Sequence, residues 1–157
     1  MKSTALLTAF LLAACGELVV PDTYEANRHI GPDGGTVSLE RLTITIPRDT
    51  LSQGLTFRVE TVYQGGLPFG ALGPVYRVLP EKLPEDLAAA GLDLTYRFDM
   101  EELPPEVYFV ELSLARLEGG FWIPLDAPEW DPVAGEVHGV SPVSGIFTLV
   151  HEPPQTP

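Results

Sequence analysis

The sequence predicts an all-β fold, a single antiparallel β-sandwich of about eight or nine strands with one short crossover helix, behind a secretory leader. Two observations predict the sandwich. Sixteen prolines and fifteen glycines are spread evenly between short apolar runs, which is the punctuation of strands and turns. Several runs also alternate: Leu42, Ile44 and Ile46 oppose Thr43 and Thr45, while Leu92, Leu94, Tyr96 and Phe98 oppose Asp93, Thr95, Arg97 and Asp99. A period of two with one apolar face is a strand half-buried against a second layer. A third observation predicts the leader: Lys2, an apolar stretch from Ala5 to Leu12, then small residues.

Taken in order, the elements begin with residues 1–14. Their apolar core is too short for a hydrocarbon layer ~30 Å thick, which needs roughly 20 helical residues. The stretch closes on Leu12-Ala13-Ala14-Cys15, which resembles the cleavage box of bacterial lipoproteins. That resemblance implies a lipoprotein signal peptide over 1–14 and a Cys15 thiolate joined to a diacylglyceryl group by a thioether. Cleavage before Cys15 then frees an amine that is acylated in turn. The plainer alternative is an ordinary signal peptide that happens to contain a cysteine. Cys15 is the only cysteine, so an intramolecular disulfide framework is excluded. Two or more acyl chains hold a protein on a bilayer far better than one, at ~0.8 kcal/mol per buried methylene. Gly16, where Asp favours inner-membrane retention in enteric bacteria, leans towards the outer membrane, on its periplasmic or surface face.

Residues 15–29 show little pattern and are expected to be the acylated cysteine and a flexible tether, reaching up to ~45 Å when extended. The sandwich itself is expected over 30–150. Strands are predicted near Gly35–Leu39, Leu42–Ile46, Leu55–Tyr63, Val75–Leu79, Leu92–Asp99, Val107–Leu117, Phe121–Leu125, Glu136–Val140 and Gly145–His151. Only Pro84–Ala90 reads as helix. Pro84 suits a first turn, Glu85 and Asp86 complement the dipole, and Gly91 can end it. Residues 151–157, rich in proline, read as a disordered tail.

Charge narrows the partners. Nine Lys and Arg, one of them Lys2 in the leader, face 22 Asp and Glu, for a net charge of −13. Such a balance argues against nucleic acid and against lying flat on anionic headgroups. A solvated acidic surface is its commonest meaning.

From Gly31-Pro32-Asp33-Gly34-Gly35-Thr36-Val37, through Leu42-Thr43-Ile44-Thr45-Ile46-Pro47 and Thr56-Phe57-Arg58-Val59, the chain resembles the ZU-type domain named for zonula occludens proteins and netrin receptors. That domain also occurs in ankyrins and bacterial surface lipoproteins. The closing half is similar too, with Phe121-Trp122-Ile123-Pro124-Leu125, then Asp131, Gly135 and Val137, then a last strand ending Phe147-Thr148-Leu149-Val150. The resemblance spans about residues 30–150. It implies a β-sandwich for interaction or surface display, outside the enzyme families. Some ZU-type domains cut themselves at a His-Phe-Ser site near the last strand. Pro142-Val143-Ser144 stands there in this chain, and no histidine adjoins the serine. A turn serine ahead of an edge strand is the plainer reading.

Other chemistry is sparse. His29, His138 and His151 are scattered without metal spacing, so neither a metal nor a cofactor is expected. Gly34-Gly35 has no Lys or Ser/Thr after it at the spacing of a phosphate loop and no helix begins there, so it reads as a turn needing positive φ. Asp99, Glu101 and Glu102 form one acidic group, and Asp126, Glu129 and Asp131 another. Neither has the ladder of a calcium hand, so solvated loop charge is the better reading. Trp122 is expected in the core. Trp130, in a polar loop, and Tyr63, Phe69 and Tyr76, around Gly65-Gly66-Leu67-Pro68, are the candidate partner contacts, with Trp130, Tyr63 and Tyr76 foremost. The expected function is that of a non-catalytic lipid-anchored envelope protein that binds a protein partner or gives structural support. The alternative is a carbohydrate- or polymer-binding module that stacks sugars on Trp130 or on Tyr63 and Tyr76.

Overall fold

Alternating side chains become strands wherever the pattern is clean, and in the computed structural model, which describes residues 24–63 and 66–151, almost all regular structure is strand. In chain order the elements are β1 (Glu25–Ile30), β2 (Gly35–Leu39), β3 (Leu42–Ile46), β4 (Leu55–Val62), β5 (Val75–Leu79) and α1 (Glu85–Ala90). They continue with β6 (Leu92–Arg97), β7 (Leu112–Glu118), β8 (Phe121–Pro124), β9 (Glu129–Asp131), β10 (Glu136–Ser141) and β11 (Ile146–His151). The leader, Cys15 with its box Leu12, Ala13 and Ala14, and the tail beyond His151 lie outside the described residues.

Two antiparallel sheets form the sandwich. Sheet A has six strands in the order β1-β4-β5-β11-β7-β8, and sheet B has five in the order β2-β3-β6-β10-β9. Between them lies a core fed by alternation from both sides, including Leu42, Ile44, Phe57, Leu94, Leu114 and Phe147, each without solvent exposure. Helix α1 crosses between the sheets, as predicted. Pro84 precedes its first turn, Leu87 is buried, and Gly91 leaves it at φ 83°. Among the described residues, no helix is long and apolar enough to cross a membrane.

Among the described residues there are eleven strands where eight or nine were expected, because two edge strands carry almost no apolar signal. β1 pairs with β4 from Glu25↔Glu60 to Ile30↔Leu55, yet only its last side chain is buried. Residues 25–29, expected in the tether, therefore belong to the sheet. β9 is three exposed residues paired with β10, which takes Trp130 out of a loop. The strand expected from Val107 starts later, at Leu112, after a 3-10 turn over Phe109–Glu111.

The register sorts the loops into two ends. β1 begins beside the end of β4, β4 ends beside the start of β5 (Val62↔Val75), and β11 ends beside the start of β7 (His151↔Leu112). Sheet B joins this end through the Tyr76–Tyr96 ring contact at 6.0 Å and the Phe98 amide, which donates to the Gly135 carbonyl. The entry end thus gathers Tyr24, the Glu40–Arg41 turn, Tyr63, residues 66–74 and the connections 98–111 and 132–135. The 31–34 turn, the 47–54 connection and the 119–120 turn lie at the far end.

Candidate functional site

The β4–β5 connection leaves the sheet and folds back over its outer face. Its anchors are the Leu72 amide on the Leu149 carbonyl (2.8 Å), Thr148 Oγ1 on the Pro74 carbonyl (3.1 Å), and Trp122 Nε1 on the Pro68 carbonyl (3.1 Å). Those bonds explain two departures from expectation. Trp122 lies on the outer face of sheet A, since it pairs with Leu117, and it clasps this loop instead of filling the inter-sheet core. The loop also covers Val75, Thr148 and Val150, which are buried although they point away from the sandwich interior.

The three tyrosine and tryptophan candidates separate. Tyr76 is a core residue with 0% exposure, so it cannot stack a ligand. Its hydroxyl donates to the Glu40 carboxylate at 3.1 Å and accepts from the Arg41 amide at 3.3 Å. Burial pushes the Tyr76 and Tyr96 hydroxyls well above the usual tyrosine range. Tyr63 is exposed, with its ring 5.5 Å from Tyr24, and a hydrogen bond with Tyr24 raises its pKa. Trp130 pairs with the inward-facing Val137, so its ring turns towards sheet A, where its indole donates to the Leu112 carbonyl at 2.8 Å. It remains 38% exposed, partly structural and partly accessible.

The outer face of sheet B is polar. One row runs in register across all five strands, Ser38–Thr43–Thr95–His138–Glu129, with Ser38 and Thr43 hydroxyls 3.0 Å apart and Thr95 Oγ1 2.9 Å from His138 Nδ1. A cleft of about 460 Å³ opens beside it, lined by Asp93, Asp126, Glu129, His138 and Val140. Three of the six acidic side chains weighed for calcium are held by other groups. Asp99 accepts from the Glu101 amide, Glu102 pairs with Arg41, and Asp131 accepts from the Val133 and Ala134 amides. Among the described residues no group of three or more acidic, histidine or cysteine side chains could hold a metal ion.

Ser144, at the position of self-cleavage in some ZU-type domains, is buried and donates to the Pro80 carbonyl. The Val143 carbonyl accepts from Ser141 Oγ at 2.6 Å. His138, the histidine nearest in sequence, is held by Thr95, and His151 lies 3.0 Å from Glu111.

Exposed apolar side chains escaped the sequence reading. Phe121 is 70% and Ile123 45% exposed on one side of β8, the outermost strand of sheet A. At the entry end Tyr108, Val110 and Val133 are exposed too, beside Phe69, which the sequence does flag as a candidate contact. Alternation could flag Phe121 and Ile123 as one face of a strand, but not that the face lacks a covering layer. No protein-family model matches this chain, and no curated protein matches it significantly.

Proposed function

We propose that the chain is a non-catalytic lipoprotein, anchored to the cell envelope through acylated Cys15 and placed on the outer membrane, whose sandwich binds a protein partner. The observation that carries the binding reading is β8. An edge strand has one row of unpaired backbone groups, and natural sheets blunt such edges with charge, proline or a cover. Here Pro124 closes only the end of the strand, while Phe121 and Ile123 stand exposed along it. A partner that lies along β8 would cover both side chains and use the free edge. The likeness to ZU-type domains supports the same reading, since those domains serve interaction and display. The bond from Ser144 to Pro80, with His29, His138 and His151 bonded to Thr56, Thr95 and Glu111, supports the absence of self-cleavage.

The test has two parts. The intact mass of protein from its native membrane is expected to equal Cys15–Pro157 plus acyl chains. An unacylated mass would remove the anchor, and two fragments meeting at Val143/Ser144 would overturn the non-catalytic reading. A photo-reactive phenylalanine analogue at Phe121 is expected to give a discrete protein adduct in intact envelopes. The same probe at exposed Ser52, at the far end, is expected to give none. Equal labelling at both positions would sink the β8 interface.

A second reading, glycan binding, is favoured by the cleft beside His138. Carboxylates and an imidazole next to a row of hydroxyls suit polyol recognition better than the aromatic platform first expected. Chemical-shift changes confined to Asp93, Glu129 and His138 on titration with envelope oligosaccharides would support it. Unchanged shifts would exclude it.

A further inference from the structure

We propose that the entry end of the sandwich is a bilayer-contact surface, so that the domain stands end-on against the membrane that holds its anchor. This inference rests on the lipid-anchored reading above and adds an orientation to it. Large apolar side chains exposed to solvent, among them Tyr24, Tyr63, Phe69, Tyr108, Val110 and Val133, belong to this one end. Phe69 is fully exposed, at 102%. From Tyr63 to Pro74 the sequence carries no Asp, Glu, Lys, Arg or His, in a chain of which 20% is charged.

Where the chain enters selects the bilayer as occupant. The Tyr24 ring rests on Tyr63, and the Thr61 amide donates to the Tyr24 carbonyl at 2.8 Å, so the polypeptide arrives beside this surface. Nine residue steps separate Cys15 from Tyr24, at most ~30 Å of extended chain. A domain held within that radius by its own entry end meets the membrane at a high effective concentration. Tyrosines suit the headgroup level, and a phenylalanine can reach the acyl boundary.

The loop is also mounted for this. Trp122, Leu149 and Thr148 hold its backbone, so presenting Phe69 costs little new ordering. The neighbouring outer face of sheet A is electrically balanced, with Arg58 and Arg77 paired to Glu25 and Glu60. The outer face of sheet B carries Asp93, Glu129, Asp131 and Glu136 against Arg97, and end-on standing keeps it in water. Asp99, Glu101 and Glu106 at the entry end offer anionic lipids no attraction, so the contact is apolar and insensitive to salt.

The experiment uses the acylated full-length protein on phosphatidylcholine vesicles, with a nitroxide at Phe69→Cys or, for comparison, at exposed Ser52→Cys at the far end. Acylation consumes the Cys15 thiol, so each label is unique. Both sites are exposed, so neither change threatens folding. At position 69, collisions with oxygen are expected to rise and those with a water-soluble nickel chelate to fall several-fold relative to position 52, at low and high salt alike. Equal water access at both positions, on protein that floats with vesicles and has the acylated mass, would overturn the orientation while leaving the anchor intact. Protein that neither floats nor carries acyl chains would overturn both.

Discussion

The phenol of Tyr76, on β5 of sheet A, donates to the carboxylate of Glu40, in the turn between β2 and β3 of sheet B, at 3.1 Å. The same hydroxyl accepts from the Arg41 amide, and Tyr96 Oη, from sheet B, donates to the Pro74 carbonyl at 3.0 Å. Two tyrosines that meet edge-on thereby lock the sheets and two loops at the entry end. A side chain proposed from sequence as a ligand contact is a tie between layers.

That tie makes stability fall in alkali. Burial holds both hydroxyls above the ordinary tyrosine value of about 10, so their stabilisation is complete below about pH 10 and is lost as pH rises towards the folded values. The unfolded chain then releases protons that the native protein keeps. Urea unfolding between about pH 9 and 11 is expected to show stability dropping by up to ~1.4 kcal/mol per pH unit for each tyrosine. Tyr76→Phe is expected to cost about 1–2 kcal/mol at neutral pH and to flatten this slope. An unchanged slope would place the phenol in contact with water.

Gly34 closes the turn from β1 to β2 at φ 75°, its amide bonded to the Gly31 carbonyl at 3.0 Å. A methyl there would come within 2.5 Å of the Ile46 carbonyl oxygen and 2.8 Å of the Arg48 nitrogen. Gly34→Ala is expected to lose about 2 kcal/mol or more, through backbone collision as well as strain. Gly119, at φ 58°, has open space around it. Gly119→Ala should cost only ~1 kcal/mol for its left-handed backbone. Thermal melts of the two variants separate collision from strain.

Thr61 Oγ1 is the one buried side-chain polar atom without a hydrogen-bond partner among the described residues. Thr61→Val preserves shape and removes the desolvated hydroxyl. It is expected to be neutral or to stabilise by up to ~1 kcal/mol in chemical denaturation. Destabilisation beyond that range would reveal a partner for the hydroxyl.

Trp130→Phe deletes the donor to the Leu112 carbonyl at the β9 edge. A loss of about 1–2 kcal/mol is expected in urea unfolding. Stability equal to the wild type would return Trp130 to the role of a free surface aromatic.

What could be read from sequence followed local chemistry. β2, β3 and β5 begin and end where alternation and turn residues put them, and Pro84 and Gly91 frame α1 as proline and glycine usually do. β1 was missed because Glu25-Ala26-Asn27-Arg28-His29 belongs to an edge strand, which needs no apolar face to pair its backbone. β9 escaped for the same reason, with three exposed residues between a loop and a hairpin. The candidate aromatics were misjudged where covering mattered. Val75 and Tyr76 are adjacent and both buried, because a loop folds over one face while the other sheet covers the opposite face.

By itself, then, the sequence determined the class of fold, most strand positions and the expectation of a lipid anchor. Periodicity, turn residues and a stretch that resembles a cleavage box are local properties that neighbouring side chains carry. Only the tertiary structure decided which apolar side chains find cover. Burial depends on elements distant in sequence, and it placed Tyr76 and Trp122 in service of the fold while leaving Phe69, Phe121 and Ile123 in water.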